Sequence, residues 1–336
     1  MNRKIFKTII WLGLTVWALA EPSVAQEDVA RLLDNREFTL VSSETPYFSF
    51  SPGNGDIIFC GKKGVMSLDG ETRHETTLLE APAPDDYLWA WLSPDSKQLL
   101  VVTRKGKLVL ADVDTKETTL LKEELPKGFK RCAFSPDGTY FVAIGGMEDS
   151  VLLYWELDED KTTVKTSGTS TLADGNTLYD GVFSPDGKIF ATVSGAGSVD
   201  FWSRPPVNPV REGTSLTHNG GLSGIAFSSD GKTIAAAASA EPTITLVAPA
   251  TGEVVKQIAW KKGHPLSGRK LAFLPRSNVL ATADGNQVGF LDTDSGQSIG
   301  SVPAGGIVKS LEVSPNGRWL VAGTRRKSVV LWRLKD

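Results

Sequence analysis

The side chains able to do chemistry in this chain are few. There are three histidines, at 74, 218 and 264, and two cysteines, at 60 and 132. Nucleophilic catalysis needs a base beside a reactive Ser or Cys. A structural zinc site needs four Cys or His ligands. The sequence contains no GxSxG elbow leading from strand to helix, no HExxH, no phosphate loop and no GxGxxG opening a helix. Asp112-Val-Asp114 and Asp292-Thr-Asp294-Ser-Gly296 invite a calcium reading, but the later acidic ligand of such a loop is missing. Turn formation accounts for these aspartates better. Trp89 and Trp91 share one strand face and have the shape to stack a sugar or a peptide. Such pairs more commonly fill the gap between packed sheets. The expectation is no catalytic residue, no cofactor and no metal.

Composition narrows the class. The chain has 336 residues, 40% hydrophobic and 22% charged, with 33 Gly and 18 Pro. That is too apolar for disorder. With a net charge of -3 there is no basic surplus of the kind a general nucleic-acid binder shows.

The first segment reads as an address. Arg3, Lys4 and Lys7 precede the apolar run Thr8–Ala20, followed by Glu21-Pro-Ser-Val-Ala25. A positive start, a short apolar centre and a small-residue exit form the pattern of a secretory signal peptide, residues 1–25. Cleavage after Ala25 fits best, with Ala20 as the rival. The apolar run falls short of the ~20 residues that span a bilayer, so no membrane span is expected after cleavage. The expected location is periplasmic or secreted. Cys60 and Cys132 fall in different repeats and read as separate buried thiols. Residues 26–35, with Val29, Leu32 and Leu33, form a short segment with room for one or two helical turns.

From residue 36 onward one four-residue mark recurs. It reads Ser-Pro-Gly-Asn at 51, Ser-Pro-Asp-Ser at 93, Ser-Pro-Asp-Gly at 135 and 184, Ser-Ser-Asp-Gly at 228, Leu-Pro-Arg-Ser at 274 and Ser-Pro-Asn-Gly at 314. The spacing averages about 44 residues, the length of a four-stranded propeller blade. Pro at the second place presets φ for a turn, and Gly at the fourth suits the exit. Short β-rich runs flank each mark, such as Arg131–Phe134 before and Phe141–Gly145 after. The last repeat stops after its third strand, while a spare strand, Arg36–Val41, precedes the first. Pairing the two closes a ring and hides two edges. The expected fold is all-β: a seven-bladed β-propeller over residues 36–336, its last blade completed by the N-terminal strand.

Phe134-Ser-Pro-Asp-Gly…Val-Leu-Leu-Tyr-Trp155 and Phe183-Ser-Pro-Asp-Gly…Val-Asp-Phe-Trp202 resemble the WD-repeat family of β-propellers. In that family a His nine residues before the first-strand Phe joins a Ser/Thr, a Trp and an Asp in a hydrogen-bonded network. His218 and His264 stand nine before Phe227 and Phe273. The resemblance therefore implies a structural, blade-bonding role for both. The other five repeats lack this His, and Glu, Ser and Arg follow Trp155, Trp202 and Trp332 where the family has Asp.

The resemblance also implies a non-enzymatic interaction scaffold, here a monomeric ring outside the cytoplasm. Its partner would be a protein or an anionic envelope polymer, not nucleic acid. The alternative is a secreted propeller enzyme, a lactonase- or quinoprotein-like oxidoreductase. The turns between second and third strands of blades seven, one and two hold Lys62, Lys63, Arg104, Lys105, Lys107, Arg325, Arg326 and Lys327. Those of blades three and five hold Glu148, Asp149 and Glu241. An acidic chain thus concentrates positive charge on one side of one rim, which suits steering of an anionic partner. Lys62, Lys63, Arg104, Lys105, Arg325, Arg326 and Lys327 are the candidate partner-binding rim.

Overall fold

The computed structural model describes residues 29, 32–40, 47–51, 54–61, 63–82, 87–126, 129–145, 151–159, 163–171, 177–202, 209–215, 221–238, 243–259, 270–326 and 328–335. The segment expected as a signal peptide lies outside them. No helix among the described residues is long and apolar enough to cross a membrane.

The strands form seven antiparallel sheets of four. The molecule is a seven-bladed all-β propeller. The innermost strands are Phe48–Phe50, Tyr87–Leu92, Arg131–Phe134, Leu178–Phe183, Leu222–Phe227, Lys270–Phe273 and Val308–Val313. From blade one round to blade seven neighbouring innermost strands touch around the axis, and blades seven and one meet through Phe50, Trp319 and Leu331. Blade seven is ordered Leu33–Leu40, Val329–Leu334, Trp319–Thr324, Val308–Val313, so the N-terminal strand supplies its outer edge. The register runs from Leu33↔Leu334 to Leu40↔Val329. This strand starts three residues earlier than the sequence suggests. Helical backbone is confined, among the described residues, to Val29 and Leu32, and Leu33 is already strand. The physical reason is burial: Val29 and Leu33 pack into the core between blades six and seven, with Phe290 and Trp332.

Each wedge between blades is filled by apolar side chains from two sheets. Between blades two and three Trp91, Leu100 and Leu110 meet Cys132, Phe141 and Trp155, with Phe141 and Trp155 stacked at 4.9 Å. Trp91 thus fills an inter-blade gap, as its sequence setting suggests. Cys60 and Cys132 are buried free thiols; burial pushes the Cys60 thiol up to about 12. Outer strands such as Thr118–Lys122 are mostly exposed, as their polarity requires.

The recurring mark closes one face. Ser135 Oγ donates to Asp137 Oδ1 at 2.7 Å and accepts from Tyr140 N–H at 3.0 Å. Ser184 repeats this with Asp186 and Ile189 at 2.6 and 3.0 Å, and Ser314 with Asn316 and Trp319 at 2.7 and 2.8 Å. The Gly at the exit has positive φ, 70° at Gly187 and 71° at Gly317. It also abuts the Pro of the preceding blade's turn. A Cβ on Gly187 would lie 3.2 Å from Pro136, and one on Gly317 only 2.9 Å from Pro275. Gly317→Ala is therefore expected to destabilise by about 1–2 kcal/mol from backbone strain alone. A denaturant midpoint equal to wild type would show that the turn and its neighbour give way freely.

Candidate functional site

The start of each innermost strand and the turn joining the second and third strands lie at the same edge of the sheet. Tyr87 pairs with Thr103, next to Arg104 and Lys105. The same edge is stitched by Ala81 N–H donating to Lys63 O at 2.9 Å, Leu125 N–H to Gly106 O at 2.8 Å and Arg325 N–H to Ile307 O at 2.7 Å. One face of the disc therefore carries the basic turns and the channel mouth. The opposite face carries the Ser-Pro-Asp-Gly turns.

Of the rim residues, Lys63, Arg104, Lys105, Arg325 and Arg326 are exposed on that face. Lys107 is drawn off by Glu123, 2.5 Å away. Lys62, Lys327, Glu148, Asp149 and Glu241 lie outside the described residues, as do His218 and His264. His74 is exposed in the turn before the outer strand of blade one rather than on the strand itself.

At the axis of the same face the rings of Tyr47 and Trp89 stack at 4.1 Å. Trp89 also stacks on Trp91 at 5.0 Å and meets the edge of Phe129 at 5.7 Å. These rings, with Lys130, Tyr179 and Lys309, line a cavity of about 250 Å³. Tyr179 is 40% exposed and Ile307, beside Arg325, 39%. Lys130 Nζ sits 5.6 Å above the Tyr179 ring.

Below the rings four charges from four blades bridge the channel. Asp180, 4% exposed, holds Arg131 Nη1 at 3.2 Å and Lys270 Nζ at 3.1 Å. Arg131 Nη2 reaches Glu312 Oε1 at 3.3 Å. Burial opposes the Asp180 carboxylate, but Lys270 and then Arg131 outweigh it and hold the carboxyl below its ordinary range. Burial pushes Glu312 up, only partly offset by Arg131. Arg131 Nε is fully buried with no hydrogen-bond partner among the described residues.

The sequence analysis singled out the tryptophans, but not the four charges that the folded ring brings together at the channel. A signal was present: Arg131, Asp180 and Lys270 each stand three residues before the Phe of their repeat, so the rotational symmetry of the ring sets them at one height.

The other candidate motifs resolve as turns. Asp112 Oδ1 accepts from Asp114 N–H and Thr115 N–H at 2.9 and 2.7 Å, and Asp292 Oδ1 from Ser295 N–H at 2.7 Å. Among the described residues no group of acidic, His or Cys side chains is placed to hold a metal. Gly296-Gln-Ser-Ile-Gly300 matches the letters of GxSxG. Yet Ser298 opens the exposed outer strand Ser298–Pro303, with no helix behind it, so nothing there forms a nucleophile elbow.

Residues 296–333 match the family model "WD domain, G-beta repeat". The matched span runs from the outer strand of blade six, Ser298–Pro303, through the strands of blade seven up to Arg333. Together with the fold, this match supports a WD-repeat β-propeller. Part of the network typical of such repeats stands in blade four, where Trp202 Nε1 donates to Thr192 Oγ1 at 2.9 Å. At the matching place blade six has Thr282, whose buried hydroxyl has no partner among the described residues, while blade five, the repeat of His218, has Ala236. No curated protein matches the sequence. Among solved structures the chain is similar to one titled "Crystal Structure of Mitotic Checkpoint Complex", with TM-score 0.70, 14% identity and 100% of both chains covered. It is also similar to the β-propeller domain of Cps50 (Swd1) of Myceliophteria thermophila, with TM-score 0.69 and 12% identity. That match covers 89% of this chain and 100% of the other. At these identities the likeness speaks for the fold.

Proposed function

We propose that this protein is a non-enzymatic interaction scaffold outside the cytoplasm, and that a protein partner with an acidic segment docks on the face holding the channel mouth. The observation that carries the reading is the coincidence on one face of exposed apolar side chains, Tyr179 and Ile307, with the cations of blades seven, one and two. Apolar anchors surrounded by charge are what a steered protein interface needs. The similar chain in a mitotic checkpoint complex, by its title part of an assembly, agrees with such use of the fold. The location rests on the signal-like residues 1–25.

The test is capture of partners from a native envelope extract by wild type and by Lys63→Glu/Lys105→Glu/Arg326→Glu. The reversal should fold normally and lose most capture, and wild-type capture should fade between low and physiological salt. Lys188→Glu/Lys232→Glu, on the opposite face, should capture as wild type does. Equal capture by the rim reversal at low salt would refute the assignment.

A further inference from the structure

We propose that the channel mouth is a binding site for a carboxylate carried next to a flat apolar ring. The site is the cavity lined by Tyr47, Trp89, Phe129, Lys130, Tyr179 and Lys309. It shares Tyr179 with the proposed docking face but none of the rim cations Lys63, Lys105 and Arg326, so it stands whether or not a protein is held by that rim.

Three observations set the chemistry. First, the cavity is built from rings: the Tyr47–Trp89–Trp91 stack with Phe129 against its edge, and Tyr179 from blade four. A flat apolar group gains stacking there that a bare phosphate or an aliphatic acid would not. Second, the cations at the mouth lack anions. The Lys309 ammonium is half-buried and has no hydrogen bond or ion pair among the described residues, and Lys130 Nζ has only the Tyr179 ring. The two carboxylates below, Asp180 and Glu312, are already engaged by Arg131 and Lys270. Counting Lys130, Arg131, Lys270 and Lys309 against Asp180 and Glu312, the site holds two positive charges in excess. Arg131 also keeps a buried Nε without a partner among the described residues. Third, size limits the ligand. At the packing density of a protein interior, about 250 Å³ holds roughly a dozen heavy atoms, the scale of one aromatic acid. A large polycyclic cofactor with several carboxylates exceeds it. An arene carboxylate fits on all three counts: ring against rings, charge against Lys130 and Lys309, and volume.

The same chemistry comes from two sources, a free aromatic acid or the carboxyl-terminal aromatic residue of another chain. Calorimetric titration of the full chain at low salt separates them. The probes are 2-naphthoate, a pentapeptide ending in a free Trp carboxylate, the same peptide amidated, and 2-naphthol. The acid forms should bind at least 10-fold more tightly than the amide and the naphthol. Lys309→Met should weaken acid binding by 5-fold or more with an unchanged melting temperature, and Lys130→Met is the second variant should the first fold poorly. The rim reversal of Lys63, Lys105 and Arg326 should bind the probes as wild type does, which keeps failure of the docking face distinct from failure of this site. Tighter naphthoate binding assigns a free acid, and tighter peptide binding a chain end; both support the site. No binding by any acid, equal binding of acid and amide, or full binding by a folded Lys309→Met would overturn it.

Discussion

Removal of residues 26–41 is expected to lower stability by about 3–6 kcal/mol and to make the protein aggregate. The strand Leu33–Leu40 pairs along Val329–Leu334 and is the outer edge of blade seven. Without it Val329–Leu334 becomes an unpaired edge, a ready template for another chain. The buried Val29 and Leu33 leave the core as well, and each such side chain contributes about 1.5–3 kcal/mol. Urea unfolding followed by tryptophan fluorescence measures the loss, and light scattering the association. A truncated protein with the wild-type midpoint would mean that the ring closes without its N-terminal strand.

Asp180→Ala should be equally severe, through electrostatics rather than packing. It removes the acceptor shared by Arg131 and Lys270 and leaves the channel with two cations facing only Glu312. Breaking one side of a buried ion pair costs about 3–5 kcal/mol. The pH dependence has a definite sign. Asp180 is held below the ordinary carboxylate range in the folded protein. Its contribution is therefore complete above about pH 4 and lost as pH falls through the folded value. Glu312, pushed up by burial, acts in reverse: its protonated form is favoured, and that contribution fades as pH rises. The stability gap between wild type and Asp180→Ala should thus be full at pH 7 and shrink below about pH 4. A gap under 1 kcal/mol at pH 7, or one that stays constant into acid, contradicts this account.

The architecture could be read early because it is local and repeated. Ser135-Pro-Asp-Gly138 sets its own turn through the Ser135–Asp137 bond and the positive φ of Gly138, and seven copies leave little choice of fold. The missing fourth strand of the last repeat and the surplus strand at the start pointed to each other. The start of that strand was misplaced because Leu33 is buried by contacts with blade six, distant in sequence. The channel was harder to read for a similar reason. Arg131, Asp180, Lys270 and Glu312 come from four repeats, separated by up to 181 residues, and only closure of the ring brings them together. Trp89 and Trp91 stack on each other and both line the mouth, but Trp91, 8% exposed, belongs to the core of the wedge, while Trp89 packs against that core and against Tyr47. The rim was half legible. Its exposed lysines and arginines follow from the repeat, but the capture of Lys107 by Glu123 on the outer strand side does not.

The antiparallel closure of blade seven has a mechanical consequence. Leu33 faces Leu334, and the two strands run away from that pair in the same direction, toward Leu40 and Val329. Tension applied between the chain before Val29 and the chain after Lys335 must first free the packing of Val29 and the hydrogen bond from Lys335 N–H to Leu32 O, and then meets the Leu33↔Leu334 pair before the rest of the seam. The hydrogen bonds across this seam lie along the pull rather than across it, so they carry load singly and in order, like the teeth of a zip. Force borne together by a sheared pair of strands is here borne by one bond at a time, and the seam that makes the ring stable at rest is its weakest direction under traction.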